Sequence, residues 1–150
     1  MKWITFICSA TVLAGCTKPE SRPVADTTAA AMPAALSLND LAGTWSVRAM
    51  HDRGDSTLTT YQMSGTADPS SWKLTFPNRP PITLRMSVAG DSVITDAGPY
   101  ESVLRKGVAV VTHTVIRLQD GKLVGAFTAK YATRMVDSVL TGRVVGTRTP

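Results

Sequence analysis

Few residues in this chain have the type and spacing for chemistry. His51 stands beside Asp52 and Asp55 in the segment His51-Asp52-Arg53-Gly54-Asp55-Ser56. Three possible ligands so close together make a metal site conceivable, but they do not name a metal, because a structural site needs a fuller ligand set. A solvated loop is the expectation. His113 lies in an apolar run between Thr112 and Thr114 and is expected to face outward or to be satisfied locally. No serine occupies a Gly-x-Ser-x-Gly elbow or shows a His/Asp partner pattern. No glycine loop is built to cradle phosphate. Asp91, Asp96 and Glu101 are spaced as turn residues, not as a carboxylate pair. Arg53-Gly54-Asp55 matches an adhesion tripeptide, yet Gly-Asp is equally good turn chemistry. The expectation is a protein that is not an enzyme, with no cofactor and no metal.

The most informative residue is a cysteine. Lys2 supplies a positive start, and Trp3 to Leu13 is an apolar stretch. Small residues, Ala14 and Gly15, precede Cys16. This is the layout of an export signal, and the stretch is well short of the roughly 18–20 apolar residues that span a bilayer as a helix. The run Leu13-Ala14-Gly15-Cys16 resembles the lipobox of bacterial lipoprotein precursors. The resemblance implies a signal peptide over 1–15 and a mature chain that begins at Cys16, lipidated on its sulfur. Each buried methylene contributes about 0.8 kcal/mol, so two or three acyl chains anchor stably where one is marginal. Thr17 follows the cysteine where an Asp would favour inner-membrane retention. The implied address is the cell envelope, with the periplasmic face of the outer membrane favoured over the inner membrane.

With Cys8 removed and Cys16 lipidated, no thiol remains for a disulfide or a nucleophile. The domain must stand on its core alone, and its length suffices for one. Losing Lys2 leaves fifteen basic residues against eleven acidic ones. The arginines are scattered, with no run and no basic helix, so nucleic acid is not an expected partner. A solvated surface is the plain reading of this charge; attraction to anionic lipid head groups or cell-wall polymers is the sharper one.

Residues 16–35, rich in Ala, Thr, Pro and Ser, read as a flexible tether. The run 36–41 has the makings of one helical turn with Ser37 as N-cap. From Gly43 onward alternation predicts strands over Thr44–Met50, Leu58–Ser64, Ser71–Phe76, Ile82–Val88, Ser92–Thr95, Tyr100–Arg105, Val108–Leu118, Lys122–Tyr131 and Ser138–Thr147. Pro77-Asn78-Arg79-Pro80-Pro81 breaks continuity, and Asp120-Gly121 is a strong hairpin signal. The expected fold is all-β: a small antiparallel meander of about eight strands over 36–150. Closure into a barrel would remove its edges. A two-sheet sandwich uses the same alternation and stays open as the alternative.

Gly43-Thr44-Trp45, at the start of the first strand, resembles the Gly-x-Trp signature of the calycin group, which includes lipocalins, fatty-acid-binding proteins and avidins. The resemblance implies a lipocalin-like barrel in which Trp45 plugs one end beside an arginine of the last strand; simple core filling is the plainer reading of Trp45. Arg143 is the first candidate and Arg148 the second. Avidins line their biotin site with several tryptophans; only Trp45 and Trp72 remain in the mature chain, so biotin binding is not expected. A barrel of this size either fills with side chains or holds one small ligand. Trp72, Leu74, Phe76, Leu84, Met86, Phe127 and Tyr131 are the candidate ligand-binding residues. Gly125, Ala129, Gly142 and Gly146 would leave space or permit tight coiling. The leading expectation is an anchored lipoprotein that binds a small apolar or amphipathic ligand. The alternative is a structural or interaction module touching envelope proteins or cell wall through its outer surface. A cavity of several hundred Å3 would favour the first.

Overall fold

The computed structural model describes residues 35–134 and 137–150. The signal segment, Cys16 and the tether up to residue 34 lie outside the described residues. The first element is a single helical turn, α1 (Leu38–Leu41). Ser37 caps it: its hydroxyl accepts from the Asn39 N–H at 3.1 Å, and Asp40 reaches back to the Ser37 N–H at 2.9 Å. This reciprocal pair satisfies two of the donors that a helix start leaves open. The predicted cap residue therefore holds.

Eight strands follow: β1 (Gly43–His51), β2 (Thr57–Gly65), β3 (Lys73–Thr75), β4 (Ile82–Ala89), β5 (Ser92–Glu101), β6 (Ala109–Gln119), β7 (Lys122–Tyr131) and β8 (Val139–Arg148). Each pairs antiparallel with the next, and β8 returns to β1. The result is a closed barrel, not a sandwich. Closure follows from the period-two pattern: one face of each strand supplies a core, and the twisted meander can satisfy its two outer edges against each other.

Two boundaries differ from the sequence expectation. Ser92–Thr95 and the first two residues of Tyr100–Arg105 are parts of one strand, β5, which crosses Gly98-Pro99 with a register shift between Ala97 and Tyr100. Residues 102–105 stand beyond it in a loop. β3 is only three residues long, because Pro77, Pro80 and Pro81 cannot extend a ladder. It pairs with β2 only at Gln62–Ser64. At the β6–β7 turn, Asp120 and Gly121 have φ of 50° and 72°, the left-handed pair that a two-residue hairpin requires.

The two ends of the barrel differ. At one end lie α1, the β4–β5 and β6–β7 turns and the last residues of β8. Leu41, Trp45 and Trp72 are fully buried there. The Trp72 ring lies so close over Gly65 that a Cβ at that glycine would overlap it. At the other end lie the loops after β1, β3, β5 and β7. We call these the closed and open ends.

Candidate functional site

The closed end is built around Trp45. Its indole N–H donates to the Leu41 carbonyl at 2.7 Å, so α1 is tied across the barrel base. A guanidinium covers the ring face, 4.4 Å from its centroid, and it belongs to Arg148. The same group donates to the Ala42 and Asp40 carbonyls at 2.5 and 2.7 Å. This corrects the first expectation, which gave that role to Arg143. Arg143 is paired with Met50, five residues back from Arg148 on β8. It points outward and donates to the Gly54 carbonyl at 2.6 Å. The two arginines differ by an odd number of residues, so they project from opposite faces of the strand.

Above this plug the interior holds a cavity of about 60 Å3, room for a few water molecules. Of the seven residues expected to face a ligand, Leu74, Phe76, Leu84, Phe127 and Tyr131 line it. Trp72 and Met86 do not. Trp72 is spent on the closed end, where its indole N–H donates to the Thr66 carbonyl at 2.8 Å. Met86 is half-buried against the core, clear of the cavity.

Sequence reading missed the polar half of the lining. Tyr61, Tyr100, Ser102, Thr95, Thr112 and Thr114 all face the cavity. Thr112 and Thr114 were hard to find because β6 carries β-branched apolar residues on both faces: Val110 and Ile116 point in, Val111 and Val115 out. Alternation then marks a strand without marking its inner side. Phe76 packs edge-on against Tyr61, with centroids 5.6 Å apart, and tilted against Tyr100 at 5.9 Å. Burial pushes the Tyr61 phenol well above its ordinary range, and Tyr100 nearby adds to this. Burial also raises Tyr100; hydrogen bonding with Thr112 opposes it, Tyr131 reinforces it and Arg79 lowers it. Both phenols are held neutral and available as donors. Among the described residues that line the cavity, none carries a charge.

The expected small residues do not act alike. Ala129 lines the cavity, but the glycines leave no space. A Cβ at Gly125 would collide with the Val115 carbonyl, and one at Gly142 with the Met50 carbonyl and the Phe127 ring. At Gly146 the nearest atoms, on Leu123 and Val47, are 3.1–3.2 Å away. These glycines permit close strand approach, the second of the two roles considered.

Loops fasten the open end. Arg105 pairs with Asp137 at 2.7 Å and lies 4.1 Å over the Tyr131 ring. Arg79 donates to the Glu101 carbonyl at 2.6 Å. In the loop after β1, Asp52 accepts from the Thr141 hydroxyl, and Asp55 stands 3.5 Å from Arg143. The carboxylates beside His51 are thus engaged with neighbours on β8. Among the described residues no group of three or more His, Cys, Asp or Glu converges as metal ligands. His113 faces outward on β6 and pairs with Asp96 at 2.8 Å.

Comparison with protein-family models, with curated proteins and with solved structures finds no match to this chain.

Proposed function

We propose that the protein is a lipid-anchored envelope protein, not an enzyme, whose barrel receives a small, uncharged, amphipathic ligand through its open end. The observation that carries this reading is the lining: apolar side chains and aromatic rings, interspersed with the hydroxyls of Tyr61, Tyr100, Thr112 and Thr114, and no charge among them. An ionised group carried inward would lose its hydration with no counter-charge to replace it, at a cost of several kcal/mol. A hydroxyl or carbonyl on an apolar body would instead find donors and acceptors in place. The anchor rests on the Leu13-Ala14-Gly15-Cys16 run, and replacing Cys16 with Ser is expected to release the protein from membranes; continued retention would refute it.

The ligand reading is tested by native mass spectrometry of protein gently extracted from its own membrane. A discrete extra mass, beyond the acyl chains on Cys16 and lost on denaturation, is expected. Ala129→Leu, which fills the cavity, should abolish that mass while leaving the near-ultraviolet circular dichroism intact. A bare wild-type domain would refute ligand carriage. The small free volume, about 60 Å3, favours a second reading for that case: a filled barrel that acts as an interaction module through its outer surface.

A further inference from the structure

Charge is distributed unevenly along the barrel axis. At the open end stand seven cationic side chains (residues 53, 79, 105, 106, 130, 134 and 143) against four carboxylates (residues 52, 55, 101 and 137). At the closed end four cations (residues 73, 117, 122 and 148) meet four carboxylates (residues 40, 68, 91 and 120). Arg79, Arg105 and Arg143 are held by the partners described above. Arg53, Lys106, Lys130 and Arg134 are exposed, and none has a hydrogen bond or ion pair with the other described residues.

Among the described residues, three of the five exposed large apolar side chains stand at the same end; Val88 lies at the closed end and Val115 midway along β6. Val139 is 53% exposed, Leu104 42% and Val111 39%. Val111, Lys130 and Val139 stand side by side across β6, β7 and β8. Leu104 and Lys106 project from the loop after β5. The Arg105–Asp137 pair fastens that loop to the one after β7, so the two loops present a single rim.

We propose that this rim docks on an anionic bilayer, with Leu104, Val111 and Val139 entering the interface and Lys106, Lys130 and Arg134 meeting the head groups. Apolar side chains interleaved with free cations are the complement of such a surface, which offers negative charge above hydrocarbon. A soluble acidic polymer would engage the cations and leave the valines in water. Leu104 also lines the cavity, but Val111, Val139 and the three cations do not, so the proposal does not depend on what the barrel holds.

The test is cosedimentation with vesicles of mixed phosphatidylglycerol and phosphatidylcholine, and with phosphatidylcholine alone. The chain used lacks residues 1–15 and carries Cys16→Ser, so that no acyl chain contributes. It keeps the whole barrel, which belongs to a compact unit spanning Met32–Pro150. Binding to the anionic vesicles alone is expected. The Lys106→Glu/Lys130→Glu double variant should weaken it at least about tenfold, given the worth of each cation near an anionic surface. Lys73→Glu/Lys122→Glu, the same change of charge at the closed end, should leave it within about twofold. Leu104→Asn/Val139→Asn should also weaken binding several-fold. Absence of vesicle binding would overturn the proposal, as would equal losses in the two charge variants. Indifference to the Asn variant would replace the bilayer with an acidic polymer. Tryptophan emission from Trp45 and Trp72 monitors the fold of every variant.

Discussion

The tyrosines carry the most informative chemistry at the scale of single residues. Tyr61 and Tyr100 have phenols whose ionisation is opposed chiefly by burial. In the unfolded chain they ionise near pH 10; in the barrel they hold their protons to higher pH. Stability from this source is complete below about pH 10 and declines as pH rises through the raised values. We expect phenolate absorbance from these two tyrosines to appear late in an alkaline titration, together with loss of the near-ultraviolet circular dichroism. Tyr61→Phe should remove part of that late absorbance. Early, reversible titration of Tyr61 and Tyr100 would contradict the burial described. Neither shift was legible in the sequence. Leu58–Ser64 places Tyr61 and Met63 on one face and Leu58 on the other, and pattern alone does not choose between them.

At the scale of elements, the plug at the closed end is the part most open to a clean test. Arg148→Ala removes a stacked cation and two charge-assisted hydrogen bonds to α1. Its side chain is exposed, so the loss in thermal or denaturant unfolding should be about 1–2 kcal/mol. Arg143→Ala removes only solvent-exposed contacts to a loop and should cost about 0.5 kcal/mol or less. The reverse ranking would restore the original assignment. Much of this level was readable beforehand: the Ser37 cap, the Asp120-Gly121 hairpin and the alternating strands are local signals, and local physics produces them. What was not readable needs neighbours. β5 appeared as two strands because Gly98-Pro99 interrupts its pattern, yet β6 pairs with it on both sides of the interruption. Choosing Arg148 over Arg143 requires the register of β8 on β1, which no local pattern contains.

For the whole molecule, the decisive contact is the seam between β1 and β8. Met50 pairs with Arg143 and His51 with Gly142 across it. At Gly142 a side chain would meet the Met50 carbonyl and the Phe127 ring, and backbone on a closed circuit has little room to retreat. Gly142→Ala should therefore cost about 1–3 kcal/mol or more by overpacking. Circular dichroism and tryptophan fluorescence should report the loss at one midpoint, as expected of a single cooperative unit. Gly121→Ala meets open space but a φ of 72°, so only about 1 kcal/mol of backbone strain is expected there. Equal effects at the two glycines would show that the seam is no tighter than a turn. The sequence predicted the meander, because sequential hairpins are short-range. It left barrel and sandwich open, because the closing pair joins residues about as far apart as the domain allows.

That seam also bears on when the molecule can exist. Seven of the eight strand pairings join neighbours in sequence and can form as the chain emerges. The eighth joins β1 to β8, and the guanidinium that covers Trp45 sits on residue 148. Until the last strand has been made, β1 keeps an open edge, the Trp45 face lacks its cover and α1 lacks the bonds from Arg148. Formation of the barrel is therefore a late, long-range event, of the kind that slows folding. A chain that lacks only β8 has every other strand and still no completed barrel.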